Sequence, residues 1–266
     1  MSVWGQWQAL RANPVYLRER GAWGNPNPFY AQLTRYSPFV VIGAILFGVC
    51  AGGSNPTLFA GGDSSLAAAT CFLCLPGFAL TAVSLYAQFM APALTAPAIS
   101  LERAGGTWDI LRLTPLSMRL ILFSKLFGGL SRLRIWPILF ALSALQGGIM
   151  FCSITLLGEE MALWGGLMGL ATVLRPWSEL LFAAFVGMYF SAVASSAMIA
   201  LVGAYAVLAL VKLFNSSGLW AAALVLAQAD SAATVVWSLL GPVIVYGVAI
   251  TAVALGISHQ AKKMSE

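Results

Sequence analysis

Few residues in this chain could do covalent chemistry, and their spacing narrows what they can do. Cys71 and Cys74 form a C-x-x-C, a spacing that serves redox or zinc chemistry in soluble proteins. Here Phe72 and Leu73 fill the gap within an apolar stretch, and Cys50 and Cys152 also lie in apolar runs. Free cysteine behaves as a small apolar residue, so all four are expected to pack. The one histidine, His259, sits in a polar tail, which excludes a multi-histidine metal site. One histidine and nine acids spread over 266 residues provide no nucleophile with a base and an orienting partner. No G-x-x-x-x-G-K-[ST] occurs, so the chain lacks that kind of phosphate cradle.

Binding chemistry is more legible than catalysis, and it concentrates in residues 99–125, ISLERAGGTWDILRLTPLSMRLILFSK. Gly105 and Gly106 break the helix that arrives from upstream. Thr107 suits an N-cap, and Asp109 falls in the first turn, where its charge complements the helix dipole. Ile110, Leu111 and Leu113 give the short helix an apolar side. Thr114-Pro115 ends it, because the residue before proline disfavours the helical conformation, and Ser117 can cap the next helix. The pattern predicts a stiff helix of about two turns between two breaks. Such a segment suits a groove on another protein, and equally an ordinary interfacial loop.

This stretch resembles the signature of type-2 ATP-binding-cassette exporter permeases. It matches at Glu102, Arg103, Gly106, Thr107, Asp109, Leu111, Pro115, Ser117 and Lys125; Ser124 stands where a glycine is usual, and Ala104 where an acid is common. Residues 13–20, NPVYLRER, are similar to the opening of some members, and residues 187–197 to their junction of fourth and fifth helices. The resemblance implies that residues 101–117 form a coupling helix docking on an ATPase subunit. It also implies that the N-terminal segment is an amphipathic connecting helix on the inner membrane surface. The family layout has six spans per permease and pairs two permeases with two ATPases. The second permease would be another copy or a homologous chain, and ATP and Mg would sit on the ATPase. The chain itself would be a transport subunit of the bacterial inner membrane, not an enzyme. The competing expectation is a non-transporting scaffold that keeps the permease fold.

Composition demands a bilayer around these residues. The chain is 60% hydrophobic and 9% charged, where soluble domains carry about 25% charge. So little charge cannot cover a water-facing surface, and the exterior must face lipid. The net charge of +5 is not a nucleic-acid signal, since no soluble module with a basic aromatic face is present. An all-α, polytopic fold is expected. Its parts are an interfacial segment over 1–37, a membrane domain over 38–258 and a cytoplasmic tail over 259–266. Six spans are predicted at about 36–53, 66–99, 135–153, 177–194, 197–214 and 234–257. The second is roughly 51 Å long as continuous helix, so it must tilt, project, or kink at Pro76, Pro92 or Pro97. Residues 194–197, Ala-Ser-Ser-Ala, read as a tight turn making a hairpin of the fourth and fifth spans. The apolar run 161–174 is short for a span and reads as a re-entrant or interfacial helix, and 219–229 as an outer interfacial helix or loop.

With six spans and both termini inside, twelve of the fourteen Lys and Arg residues are cytoplasmic, and only Arg175 and Lys212 are not. The bias fits the positive-inside rule. The acids Asp63, Glu159, Glu160, Glu179 and Asp230 then fall outside; Glu159, Glu160 and Glu179 read as solvated loop charges, with an outer gate as the alternative. Lys125 and Arg132, seven apart on one helix face, read as lipid-headgroup anchors. Gly187, Ser191 and Ser195 recur every four residues and predict a helix-packing seam, with a substrate-lining face as the alternative. Gln146, midway along the third span, calls for a partner helix or a cavity.

Overall fold

The computed structural model describes residues 8, 11–21, 28–53, 64–156, 158, 161–216 and 232–265. Among them are ten helices and no strand. We number these α1 (Pro14–Arg20), α2 (Pro28–Gly53), α3 (Ser64–Thr95), α4 (Pro97–Ala104), α5 (Trp108–Arg112), α6 (Met118–Ser131), α7 (Trp136–Thr155), α8 (Ala162–Val193), α9 (Ala197–Phe214) and α10 (Ala232–Ser265). Among the described residues five stretches are long and apolar enough to cross a membrane: Leu75–Ala104, Trp136–Thr155, Ala162–Val193, Ala197–Phe214 and Val236–Met264. The chain is a multi-pass membrane protein. In α2 the described apolar stretch is shorter, Arg35–Gly48.

Local signals explain most boundaries. Asn13 caps α1 by accepting from the Val15 N–H at 2.9 Å, Pro14 occupies the first turn, and Gly21 closes the helix at φ 84°. The long second apolar segment divides at Ala96, immediately before Pro97, while Pro76 and Pro92 stay inside α3. Ser117 caps α6 and Ser196 caps α9, so the expected turn at 194–197 is present. The carbonyl of Leu133, at the break between α6 and α7, accepts from Ser37 Oγ at 2.8 Å, and Ser37 in turn accepts from Tyr86.

Helix α8 is the hub: it packs against α7, α10, α3 and α9. It is the most buried of the five apolar stretches and α9 the least. Close approach to α7 is set by glycines. A Cβ on Gly147 would meet Val173 Cγ2 at 2.5 Å and the Gly169 carbonyl oxygen at 2.9 Å. At one end of the bundle, α1, α4, α5 and α6 form a collar; Leu122, Leu126 and Leu130 of α6 and Ile99 of α4 are buried there.

Several boundaries differ from expectation. Residues 161–174 are no separate re-entrant helix: α8 runs unbroken from Ala162 to Val193, through Pro176. Apolar neighbours and the Arg175–Glu179 pair keep the helix intact where hydropathy dips. Helix α2 begins at Pro28, within the stretch expected to be interfacial, and its apolar part starts at Arg35. The tail is the end of α10, which continues to Ser265. The side chains of Cys71 and Cys74, and the residues Glu159, Glu160, Asp63, Asp230 and 219–229, lie outside the described ones.

Candidate docking element and its charged root

Helix α5 is five residues long, less than the two turns expected. Its turns on either side are fixed by Gly106 at φ 69° and by a bend before Ser117, a left-handed conformation that glycine takes at no steric cost. Its apolar residues divide between two faces. Trp108 is buried and Leu111 packs on the core, whereas Ile110 and Leu113 are 67% and 86% exposed. Asp109, Arg112 and Pro115 are exposed beside them. A groove of about 550 Å³ runs between Asp109, Arg112, Leu113, Leu116 and Met118.

Thr107 does not cap α5. Its hydroxyl donates to the Glu102 carbonyl at 3.3 Å and, by a short contact, to the Glu102 carboxylate. A buried carboxylate draws donors more strongly than the exposed start of a five-residue helix.

That carboxylate belongs to a five-charge network. Lys125 Nζ donates to Glu19 Oε1 at 2.8 Å and to Glu102 Oε1 at 2.9 Å, with only 1% of the lysine side chain exposed. Arg18 lies 3.5 Å from Glu102, and Arg132 lies 3.5 Å from Glu19 Oε2 while its Nε donates to the Glu19 carbonyl. The network joins α1, α4 and α6. Lys125 and Arg132 are therefore not headgroup anchors: both are buried, and carboxylates replace the water each would lose. Sequence reasoning did not find Glu19 as their partner, because the pairs are 106 and 113 residues apart.

Arg103 holds the opposite side. Its guanidinium donates to the Ala192 carbonyl at 3.2 Å, in the last turn of α8, and lies 3.2 Å from Met264 Sδ and 5.6 Å from the Trp108 ring centre. A cation on the last carbonyls of a helix is favourably placed. Ser191 supplies a second link. Its Oγ accepts from the Ile99 N–H at 2.8 Å, an orphan donor of α4, since Ala96 has no capping side chain. Gly187 seats against Pro92 and Thr95 of α3. Ser195 departs from this seam: it is exposed in the turn, because the helix ends at Val193.

The remaining polar residues lie deeper. Gln146 is buried against Gly77, and its Oε1 has no hydrogen-bond partner among the described residues. Glu179 is not a loop charge. It is buried within α8, near the middle of that 32-residue helix, with Arg175 and Lys212 beside it. Those two cations flank it from α8 and from the last turn of α9, and both are partly exposed. Among the described residues no group of three or more His, Cys, Asp and Glu side chains could hold a metal ion. Comparison with protein families, with curated proteins and with solved structures finds no match.

Proposed function

We propose that this chain is the membrane permease subunit of an ATP-driven exporter of the ATP-binding-cassette type, docked to a separate ATPase subunit through residues 101–117. The observation that carries the proposal is the contrast within this segment. Its root is bonded to four helices through Glu102 and Arg103, while its tip offers Ile110 and Leu113 to solvent. A rigid apolar tip on a buried ionic root suits transmission of force from a partner. An interfacial loop gains nothing from such a root.

In this reading α2 is the first of six spans, the collar faces the cytoplasm, and both termini are cytoplasmic in the bacterial inner membrane. Two copies, or this chain and a homologous one, enclose the pathway, and membrane lipid covers the rest. Exposed apolar side chains on α9 such as Met198, Val202 and Leu213 suit either contact. ATP and Mg belong to the partner.

The test is purification of the tagged full chain from its native membranes, with ATP hydrolysis measured in the eluate. Wild type is expected to retain an ATPase subunit. Paired Ile110→Asp and Leu113→Asp changes should lower the recovered ATPase about tenfold or more, the loss expected of a truncated interface anchor, while the chain stays membrane-inserted. Recovery with other membrane proteins and no ATP hydrolysis would instead identify a non-transporting scaffold.

A further inference from the structure

Lys125 and Arg132 are committed to buried carboxylates, but three exposed arginines gather where α6 breaks before α7. Arg132 Nε donates to the carbonyl of Glu19, the group joined directly to Arg20. The next residue, Leu133, offers its carbonyl to Ser37 Oγ at 2.8 Å, two residues after Arg35. Arg134 follows at once. These contacts set the backbones of Arg20 in α1, Arg35 in α2 and Arg134 at one height beside the break. All three side chains are exposed, and no guanidinium of the three has an ion pair or hydrogen bond among the described residues.

Arg134 is also the one described non-glycine residue with a positive φ, 51°. A side chain with a Cβ is disfavoured in this left-handed region, which glycine enters at no steric cost. The neighbours enforce it: Leu133 and Ile135 are buried on either side, and Arg132 is held by Glu19. A strained turn that presents a free cation, where glycine would relax the backbone, points to a function for that cation.

The height of the break says what the cation meets. The apolar stretch of α2 begins at Arg35 and that of α7 at Trp136, while the charged network of Glu19, Glu102 and Lys125 lies on the other side. Tyr36 and Trp136 stand at the boundary, where amphipathic rings favour the headgroup layer. One turn further into the apolar stretches, Phe39 and Phe140 are exposed. The guanidinium fork matches the oxygens of a phosphate.

We propose that Arg134, flanked by Arg20 and Arg35, forms a binding site for the phosphate of an anionic phospholipid. The phosphate accepts from Arg134, and the acyl chains lie along Phe39 and Phe140. A lipid seated there ties α1 and α2 to the break. The site does not rest on the exporter reading.

The test is native mass spectrometry of the full chain in detergent, with phosphatidylglycerol, phosphatidylcholine of the same chains, or inorganic phosphate added. Wild type should bind its first phosphatidylglycerol about tenfold more tightly than phosphatidylcholine, and inorganic phosphate at equal concentration should not displace it. Arg134→Gly should lower the affinity for phosphatidylglycerol about fivefold, the loss expected for one arginine near an anionic headgroup, without lowering the thermal midpoint of the lipid-free chain. Arg20→Gln with Arg35→Gln should lower the affinity at least as much. Arg119→Gln removes the same charge roughly 20 Å away along α6 and should leave it unchanged. Should Arg134→Gly fail to purify, Arg134→Asn takes its place, since asparagine also tolerates the left-handed region.

Equal affinity for the two lipids overturns the proposal, as does wild-type affinity in Arg134→Gly. An equal loss in Arg119→Gln would reveal a net-charge effect and overturn the site. Displacement of the lipid by inorganic phosphate at equal concentration would make this a site for free phosphate and overturn the assignment to lipid.

Discussion

Replacing Lys125 with methionine tests the charged root most directly. Methionine matches the length of the aliphatic stem, so the change removes charge with little change in volume. Lys125 Nζ holds Glu19 Oε1 at 2.8 Å and Glu102 Oε1 at 2.9 Å, so the two carboxylates approach within about 6 Å of each other, where at an effective dielectric of about 20 they repel by about 3 kcal/mol. Arg132, 3.5 Å from Glu19, offsets part of this. Arg18 is 56% exposed beside Glu102 and offsets less. Breaking a buried pair by removing one partner typically costs about 3–5 kcal/mol, in line with that figure. For a chain of this size about 3 kcal/mol lowers the midpoint of thermal unfolding by roughly 6–12 °C. The assay is the fraction of protein that stays monodisperse after heating in detergent. Lys263→Met, at an exposed lysine, is the control. Adding Glu19→Gln and Glu102→Gln to Lys125→Met removes the orphaned charges and should recover most of the loss. A Lys125→Met midpoint equal to that of Lys263→Met would refute the reasoning.

Three further outcomes follow from local geometry. Gly147→Ala should destabilise by about 1–3 kcal/mol, because its Cβ would strike Val173 and the Gly169 backbone. Gly148→Ala, with nothing within 4 Å, should be neutral or stabilising by up to about 1 kcal/mol through helix propensity; the same heating assay compares them. Ser191→Ala should cost about 1 kcal/mol by orphaning the Ile99 N–H, and it should speed hydrogen exchange at the start of α4. Gly128→Val places a Cβ 2.6 Å from Glu19 Cβ, so it should lift α1 from α6 and open residues 14–20 to limited proteolysis.

Much of the fold was legible because bilayer-crossing helices need long apolar runs, and runs can be read locally. The fifth span, 197–214, coincides with α9, and the division of the second segment falls at a proline. The front of α8 was read as a separate element because its apolar run, 161–174, is short for a span, whereas the helix continues through Pro176. Glu179 sits one turn later and supplies the ion pair that keeps Arg175 inside the helix, a short-range signal that an i,i+4 count would have found. The root of α5 was less accessible. Glu102 was visible through its motif, but its partners on α6 and α1 come from distant sequence. The available hint was a lysine within the apolar run MRLILFSKLFGG in a chain with nine acids: a cation so placed needs a carboxylate, and few carboxylates exist to provide one.

The placement of these elements suggests where force on α5 would register. A five-residue helix has little stability of its own, so its order comes from the anchors at Glu102, Arg103 and Trp108. Ser191 and Gly187 fasten α4 and the end of α3 to α8, so a push on α5 is passed into α8 as a unit. On one side α8 is clamped to α7 by the Gly147–Gly169 contact, and Trp136 stacks on Trp177 at 5.6 Å. On the other side it meets α9, the least buried of the apolar stretches, and the far end of α9 is tied to α3 and α8 by Lys212 through Gln88 and Glu179. Force applied to α5 would thus reach α8 first, through the Ser191 bond to the start of α4 and the Gly187 contact with α3.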